Sequence, residues 1–382
     1  MDTSALLVVG SGPAGIAAAE AFRARNPNGS VRVLTADPHA PYQRPPLSKE
    51  YLRGESVDLT LHPPAWYAEH RIDVITARRV DSLDVATQEL VADGERYRYQ
   101  ALVLACGSSP APLPVPGGDS VLKLRSRSDA DRLRDTARQA DSAVVIGAGF
   151  IGCEAAAALA TRGLAVTLVA PDPVPQANRL GTDAGKRILG FLADAGVRYV
   201  GGTSVESVGA GVVRLDSGAD LSGDLILAAT GITPCSELAR SANLATSDSR
   251  IVVRSDMRTS CKGVYAAGDV AMAFNTGAGR PLAVEHWQDA ADQGRIAGAN
   301  AAGEHAKWDA VPGFWTTIGG ATLKYHAWGA GYSDCHFVAR GAGFTVWYED
   351  RGVTVGALTY NADEDYDLAE RLIAAGGPCP VV

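Results

Sequence analysis

Ala5-Leu6-Leu7-Val8-Val9-Gly10-Ser11-Gly12-Pro13-Ala14-Gly15 is the stretch that decides the fold. It reads as a buried strand, a tight glycine turn and the opening of an alanine-rich helix that runs to about Arg23. Gly10 permits the turn, Gly12 lets a pyrophosphate approach the backbone, and Gly15 lets helix and strand pack closely. The helix N-terminus favours the phosphate charge. A second strand, Ser30-Val31-Arg32-Val33-Leu34-Thr35, ends just before Asp37. That places a carboxylate about twenty residues past the glycines, where it can accept hydrogen bonds from an adenosine ribose.

The unit repeats. Ala143-Val144-Val145-Ile146 precedes Gly147-Ala148-Gly149-Phe150-Ile151-Gly152, followed by a helix from Cys153 to Thr161 and a strand from Ala165 to Val169. Two dinucleotide sites in one chain point to electron transfer between the two nucleotides, and the natural pair is a flavin and a nicotinamide.

Composition narrows the alternatives. The 382 residues are 46% hydrophobic, 20% charged and only 7% aromatic, which fits a globular enzyme and not a disordered chain. The formal charge of −8 comes without a basic block, so nucleic acid is not an expected partner. The first residues, Met1-Asp2-Thr3-Ser4, carry no positive region, and the apolar run behind them is too short for a signal peptide or a membrane span. No membrane association is expected, and the location expected is cytoplasmic. Six cysteines, at 106, 153, 235, 261, 335 and 379, are scattered without a Cys-x-x-Cys pair or zinc spacing, so no metal site is expected. None precedes Cys106, which leaves disulfide or peroxide reduction at a flavin without its nucleophile.

Further motifs carry a resemblance. Pro41-Tyr42-Gln43-Arg44-Pro45-Pro46-Leu47-Ser48-Lys49 is the most specific, joined by Gly263-Val264-Tyr265-Ala266-Ala267-Gly268-Asp269 and Glu285-His286-Trp287-Gln288. Leu104-Ala105-Cys106-Gly107-Ser108 and Ala228-Ala229-Thr230-Gly231-Ile232-Thr233-Pro234 look like chain crossings between domains. Over about residues 5 to 315 the sequence resembles the FAD-dependent NAD(P)H:ferredoxin reductases that serve oxygenases. The resemblance implies an α/β protein with two Rossmann-like dinucleotide-binding domains and a small α+β C-terminal domain. Its segments would be FAD-binding over 1–112, NAD-binding over 113–234, FAD-binding again over 235–308, and a C-terminal interface domain over 309–382. Pattern reading agrees, with a helix over 128–139, strands over 322–327, 335–340, 344–348 and 353–358, and a closing helix over 366–374.

Position by position, the resemblance implies that Gly10, Gly12 and Gly15 take the FAD pyrophosphate and Asp37 its ribose. Arg44 and Lys49 would line the route to the isoalloxazine, and Asp269 would hold the ribityl chain. His286, Trp287 and Gly231 join the cofactor-binding set, and Gly147, Gly149 and Gly152 hold the nicotinamide nucleotide. Lys49 and Glu154 are the positions that the family pairs beside the flavin, as its catalytic pair. A lysine there can stabilise negative charge on reduction, with the acid holding it in place. On the residues alone, the alternative is that Lys49 is a solvated loop lysine and Glu154 an ordinary helix charge. Asp269 likewise reads as a helix cap, and Trp315 as a core aromatic. The resemblance implies that Trp315 lies near the flavin and the incoming nicotinamide, where its flat face can cover the ring.

The usual acid that selects NADH is replaced by Ala170. Asp172 follows and would repel a 2′-phosphate, so NADH is the expected donor, with NADPH left open. The expected acceptor is a 2Fe-2S ferredoxin or a similar small electron carrier. Residues 311 to 382 carry four basic against eight acidic side chains, a face that would not itself attract an acidic ferredoxin. The alternatives are reduction of quinones, dyes or oxygen, or a flavoprotein of the apoptosis-inducing-factor type.

Overall fold

In the computed structural model, which describes residues 3–380, the chain up to Gln43, Leu59–Ser109 and Thr233–Phe314 form one unit. Arg44–Asp58, Pro110–Ile232 and the chain from Trp315 onward form a second.

In the first unit the apolar run is the strand Thr3–Val9, with Leu6, Leu7 and Val8 fully buried. It lies inside a parallel sheet between Val31–Leu34 and Glu95–Leu104, with Ile72–Ile75 beyond Val31–Leu34. A strand covered on both faces requires apolar side chains at successive positions, not alternating ones. Glu95–Leu104 is long enough to pair twice. Its first residues continue an antiparallel meander with Glu89–Ala92 and Val80–Asp84, and Leu102–Leu104 pair in parallel with Val264–Ala266. The helix Pro13–Arg25 ends where the buried guanidinium of Arg23 donates to the carbonyls of Asn26, Pro27, His70 and Arg71.

A second helix, Trp287–Ala301, lies against Pro13–Arg25, backbone to backbone at Gly294 and Gly298. A Cβ on Gly294 would stand 2.1 Å from the Ala14 carbonyl oxygen, and one on Gly298 would stand 2.0 Å from that of Ala18. Only glycine allows this approach. A smaller four-stranded sheet, in the order Thr246–Ser247, Arg250–Val253, Ala271–Asn275, Arg280–Leu282, completes the unit.

The second unit repeats the plan. Its four parallel strands run in the order Val197–Gly201, Ala165–Ala170, Ser142–Ile146, Leu225–Ala228, with the helix Phe150–Thr161 following the glycine turn. The helix expected over 128–139 is Arg127–Ala137, opened by a capping box in which Ser126 and Asp129 satisfy each other's backbone N–H. From residue 313 a five-stranded antiparallel sheet forms, in the order Gly313–Ile318, Ala321–Ala327, Val353–Tyr360, Gly343–Asp350, Asp334–Arg340. Four of these strands match the pattern reading, and the edge strand Gly313–Ile318 is additional. The acidic run opens the covering helix Asp363–Ala375, its carboxylates in the first turn where the helix dipole favours them. Tyr348 donates its hydroxyl to the Leu180 carbonyl at 2.8 Å, tying this sheet to the nucleotide half of the same unit. The fold is α/β, with two Rossmann-like domains and a small α+β domain. Among the described residues, no helix is long and apolar enough to cross a membrane.

Candidate active site

The first glycine turn is built as its chemistry requires. Gly10 takes φ 109°, and a Cβ there would stand 2.2 Å from the Ala105 carbonyl oxygen. A Cβ on Gly15 would stand 1.9 Å from the Gly10 oxygen, so helix and turn touch backbone to backbone. At Gly12 the same test finds open space within 4 Å. No side chain caps the helix at Gly12, so its first N–H groups are left without a side-chain acceptor. A helix N-terminus of this kind, beside a glycine that leaves room for close approach, suits a pyrophosphate.

The second turn reproduces each feature. Gly147 has φ 103° and a Cβ there would lie 2.4 Å from the Ala229 oxygen, a Cβ on Gly152 would meet the Gly147 oxygen at 1.9 Å, and Gly149 faces open space. The helix that starts at Phe150 is also uncapped by any side chain. Both cradles fit a dinucleotide.

Around the first cradle, Asp37 accepts from the Tyr42 hydroxyl at 2.8 Å and from the His39 N–H at 3.0 Å. This holds the carboxylate at the end of the second strand with lone pairs to spare for a sugar hydroxyl. Asp269 is no helix cap, because a strand, Ala271–Asn275, follows it. Its Oδ2 accepts from Ser108 Oγ at 2.7 Å. Gly268 N–H donates to the buried Gln293 side chain at 2.9 Å, which fixes the backbone before Asp269. His286 stands at the N-terminus of Trp287–Ala301. Its Nδ1 lies 2.9 Å from Oδ2 of Asp289, a buried acid that also accepts from the Gly313 N–H at 3.3 Å. Its ring lies 4.5 Å from that of Phe314. Asp289 stands three residues after His286 in the first turn of that helix, and this spacing is the sequence signal that marks it as the histidine's partner. Trp287 is half-buried on the first turn of that helix.

In the second unit, Lys49 and Glu154 meet. Lys49 Nζ lies 2.8 Å from Glu154 Oε2, and the two side chains are only 11% and 3% exposed. The solvated reading of both is therefore wrong. Glu154 sits on the helix that follows the second cradle, and Lys49 ends the short turn Pro45–Ser48. Two hydroxyls complete the arrangement: Ser48 Oγ donates to Oε2 at 2.5 Å and Thr316 Oγ1 donates to Oε1 at 2.6 Å. Lys49 also donates to the Pro45 carbonyl at 3.0 Å. Three donors on two oxygens satisfy a carboxylate that burial would otherwise penalise. Ser48 and Thr316 escaped the sequence reading because they lie far from Glu154 in the chain. Arg44 precedes the turn, half-buried. Gly231 adopts φ 109°, and its carbonyl accepts from Ala111 N–H at 2.9 Å. Trp315 is 56% exposed, so it is not a core aromatic.

Neither cysteine nearest these turns is an activated nucleophile. Desolvation, helped by Cys235, pushes the Cys106 thiol up to about 12, and burial beside Glu154 pushes Cys153 higher still. At the end of Ala165–Ala170, Asp172 accepts from Asn178 Nδ2 at 2.5 Å. The Arg179 guanidinium lies over the rings of Phe150, at 5.4 Å, and Tyr325, at 5.9 Å.

Comparison with known proteins agrees with this geometry. The family model for pyridine nucleotide-disulphide oxidoreductases matches residues 4–294. The chain belongs to that family. Membership implies FAD and a nicotinamide nucleotide as cofactors, which is what the two cradles fit. Mouse apoptosis-inducing factor 3 is 31% identical over 386 residues, covering 97% of this chain. The chain spans 63% of the length of that relative. The ferredoxin–NAD(+) reductase component of the anthranilate 1,2-dioxygenase system of Burkholderia cepacia is 32% identical, with 98% of this chain and 95% of that protein covered. Among solved structures, the ferredoxin reductase of the CYP199A2 system from Rhodopseudomonas palustris superposes with a TM-score of 0.92 at 29% identity. The superposition covers 98% of this chain and 95% of that one.

Proposed function

We propose that this chain is an FAD-dependent NADH:ferredoxin reductase of an oxygenase system. The observation that carries the reading is one cradle built twice in one chain, Gly10–Gly15 in the first unit and Gly147–Gly152 in the second, each with an open central glycine. In this reading the first cradle, with Asp37 and Asp269, holds FAD, and the second holds the nicotinamide nucleotide. When bound, FAD accepts a hydride from the nicotinamide and gives up electrons one at a time. The protein's own residues bind, orient and polarise. Lys49, fixed by Glu154, supplies positive charge that favours electron gain. In this reading His286 and Trp287 serve cofactor binding within the first unit and Arg44 and Gly231 within the second, where Trp315 offers an exposed flat ring. The raised thiols of Cys106 and Cys153 argue against disulfide reduction, the other chemistry of the family. Six free thiols support a cytoplasmic setting.

The test is reduction of cytochrome c with NADH in the presence and absence of a 2Fe-2S ferredoxin. Turnover that requires the ferredoxin supports the proposal. Equal turnover without it favours a quinone, dye or oxygen reductase, a reading for which the acidic C-terminal segment speaks. Very slow reduction with a persistent charge-transfer complex would point to a binding role of the apoptosis-inducing-factor type.

NADH is the proposed donor. Asp172 places a carboxylate beyond Ala170, where it would repel a 2′-phosphate, and Arg179, the nearest basic residue along the chain, lies over the rings of Phe150 and Tyr325. In anaerobic stopped-flow mixing, NADH should reduce the flavin more than about tenfold faster than NADPH, ~1.4 kcal/mol in barrier. A tenfold preference for NADPH would overturn the assignment.

A further inference from the structure

We propose that His336, Glu349 and Cys379 form a zinc site on the C-terminal sheet, giving one nitrogen, one oxygen and one sulfur donor to a single cation. Their ligand atoms all lie within 4.8 Å of one another, and His336 Nε2 is 3.7 Å from a Glu349 carboxylate oxygen. Donors bound at ~2.0–2.3 Å to a tetrahedral zinc stand roughly 3.3–3.8 Å apart. The cluster needs only a small closing movement to meet that geometry.

The fold brings together residues that lie far apart in sequence, which is why their spacing carried no metal signature. His336, in Asp334–Arg340, pairs with Trp347 across the ladder, and Glu349 lies two residues further along that strand, on the same face. After the covering helix, Gly376 takes φ 62° and Thr354 N–H donates to the Gly377 carbonyl at 2.9 Å. That bond holds the tail at the sheet, and Cys379 completes the set.

A second observation points to a ligand. His336 Nε2 is shielded from solvent and has no hydrogen-bond partner among the described residues, Glu349 being too distant to serve. A buried, unpaired ring nitrogen is costly, and a cation between it and the carboxylate removes that cost. Thr354 Oγ1 is also buried and unpaired among the described residues. Thr354 pairs with Glu349 across the ladder, at a register shift, so a second unpaired polar group is buried beside that carboxylate's strand position.

Magnesium and calcium select oxygen donors, whereas a mixed nitrogen, oxygen and sulfur set suits zinc. Binding replaces the Sγ proton of Cys379, which leaves to solvent, and no oxidation state changes. The cation would fasten the tail to the two strands that carry His336 and Glu349.

Untagged flavoprotein, stripped with a chelator, incubated with zinc chloride and desalted, should retain about one zinc per chain. His336→Ala and Cys379→Ser should each weaken zinc binding at least about tenfold in competition with a chromophoric chelator. Flavin content and NADH-driven bleaching should match the parent, which separates a lost ligand from a misfolded chain. Cobalt gives an independent readout. Its tetrahedral absorption, at wavelengths beyond the flavin bands, should vanish in Cys379→Ser and persist in Cys335→Ser, the exposed neighbour. Zinc lost on desalting, or retained equally when His336 and Cys379 are replaced together, would overturn the site.

Discussion

Replacing Glu154 with alanine should destabilise the second unit by about 3–5 kcal/mol, read as a lowered denaturation midpoint, and sharply slow flavin reduction by NADH. The carboxylate is almost fully buried and is the common acceptor for Lys49, Ser48 and Thr316. Its removal leaves an ammonium only 11% exposed with the Pro45 carbonyl as its remaining partner. It also strands two hydroxyl donors from opposite ends of the chain. A double-mutant cycle isolates the pair: Lys49→Met should cost much less stability in the Glu154→Ala background than in the parent. Strict additivity would mean that the two side chains do not interact. Glu154→Gln, which keeps the volume and an acceptor for the hydroxyls, should recover part of the stability but not the reduction rate.

Gly152→Val and Gly15→Val should disable different cofactors. At both positions a Cβ would stand 1.9 Å from a backbone oxygen, that of Gly147 or of Gly10, and a carbonyl held within a turn cannot swing aside as a side chain would. The helix N-terminus must then leave its strand, and the cradle opens. We expect Gly152→Val to stay yellow and to bleach with dithionite, while reduction by NADH falls at least about a hundredfold, ~2.7 kcal/mol. Gly15→Val should purify without its flavin. The converse pattern, a colourless Gly152→Val beside a yellow Gly15→Val, would mean that the two cradles hold each other's nucleotide.

The parts of this fold legible in sequence are those governed by local chemistry. Gly10 and Gly147 occupy backbone conformations that other residues rarely adopt, and the apolar runs before them are strands covered on both faces, so both cradles could be read directly. The same holds for the C-terminal sheet, whose alternating strands and acidic helix start follow short-range rules. What escaped is non-local. Nothing in Arg44-Pro45-Pro46-Leu47-Ser48-Lys49 announces that Arg44–Asp58 folds with the second unit. Thr316, Asp289 and Cys379 take their meaning from partners that only the tertiary structure supplies. The strand Gly313–Ile318 sets two aromatics, Phe314 and Trp315, side by side in place of a clean alternation, so its period does not announce it.

The interleaving of the two units also governs how the chain must be made. Each body draws on three separated stretches, and the glycine contacts of Trp287–Ala301 with Pro13–Arg25 join sequence near one end to sequence nearly three hundred residues later. When Ile232 has just left the ribosome, neither body can close: one lacks Thr233–Phe314 and the other lacks everything from Trp315. The main parallel sheets are largely made by then, but the helix Trp287–Ala301 that packs on Pro13–Arg25, the strand Val264–Ala266 and the five-stranded sheet from Gly313 are still to come, so both units wait with apolar faces uncovered, the interval in which a chaperone would have most to protect.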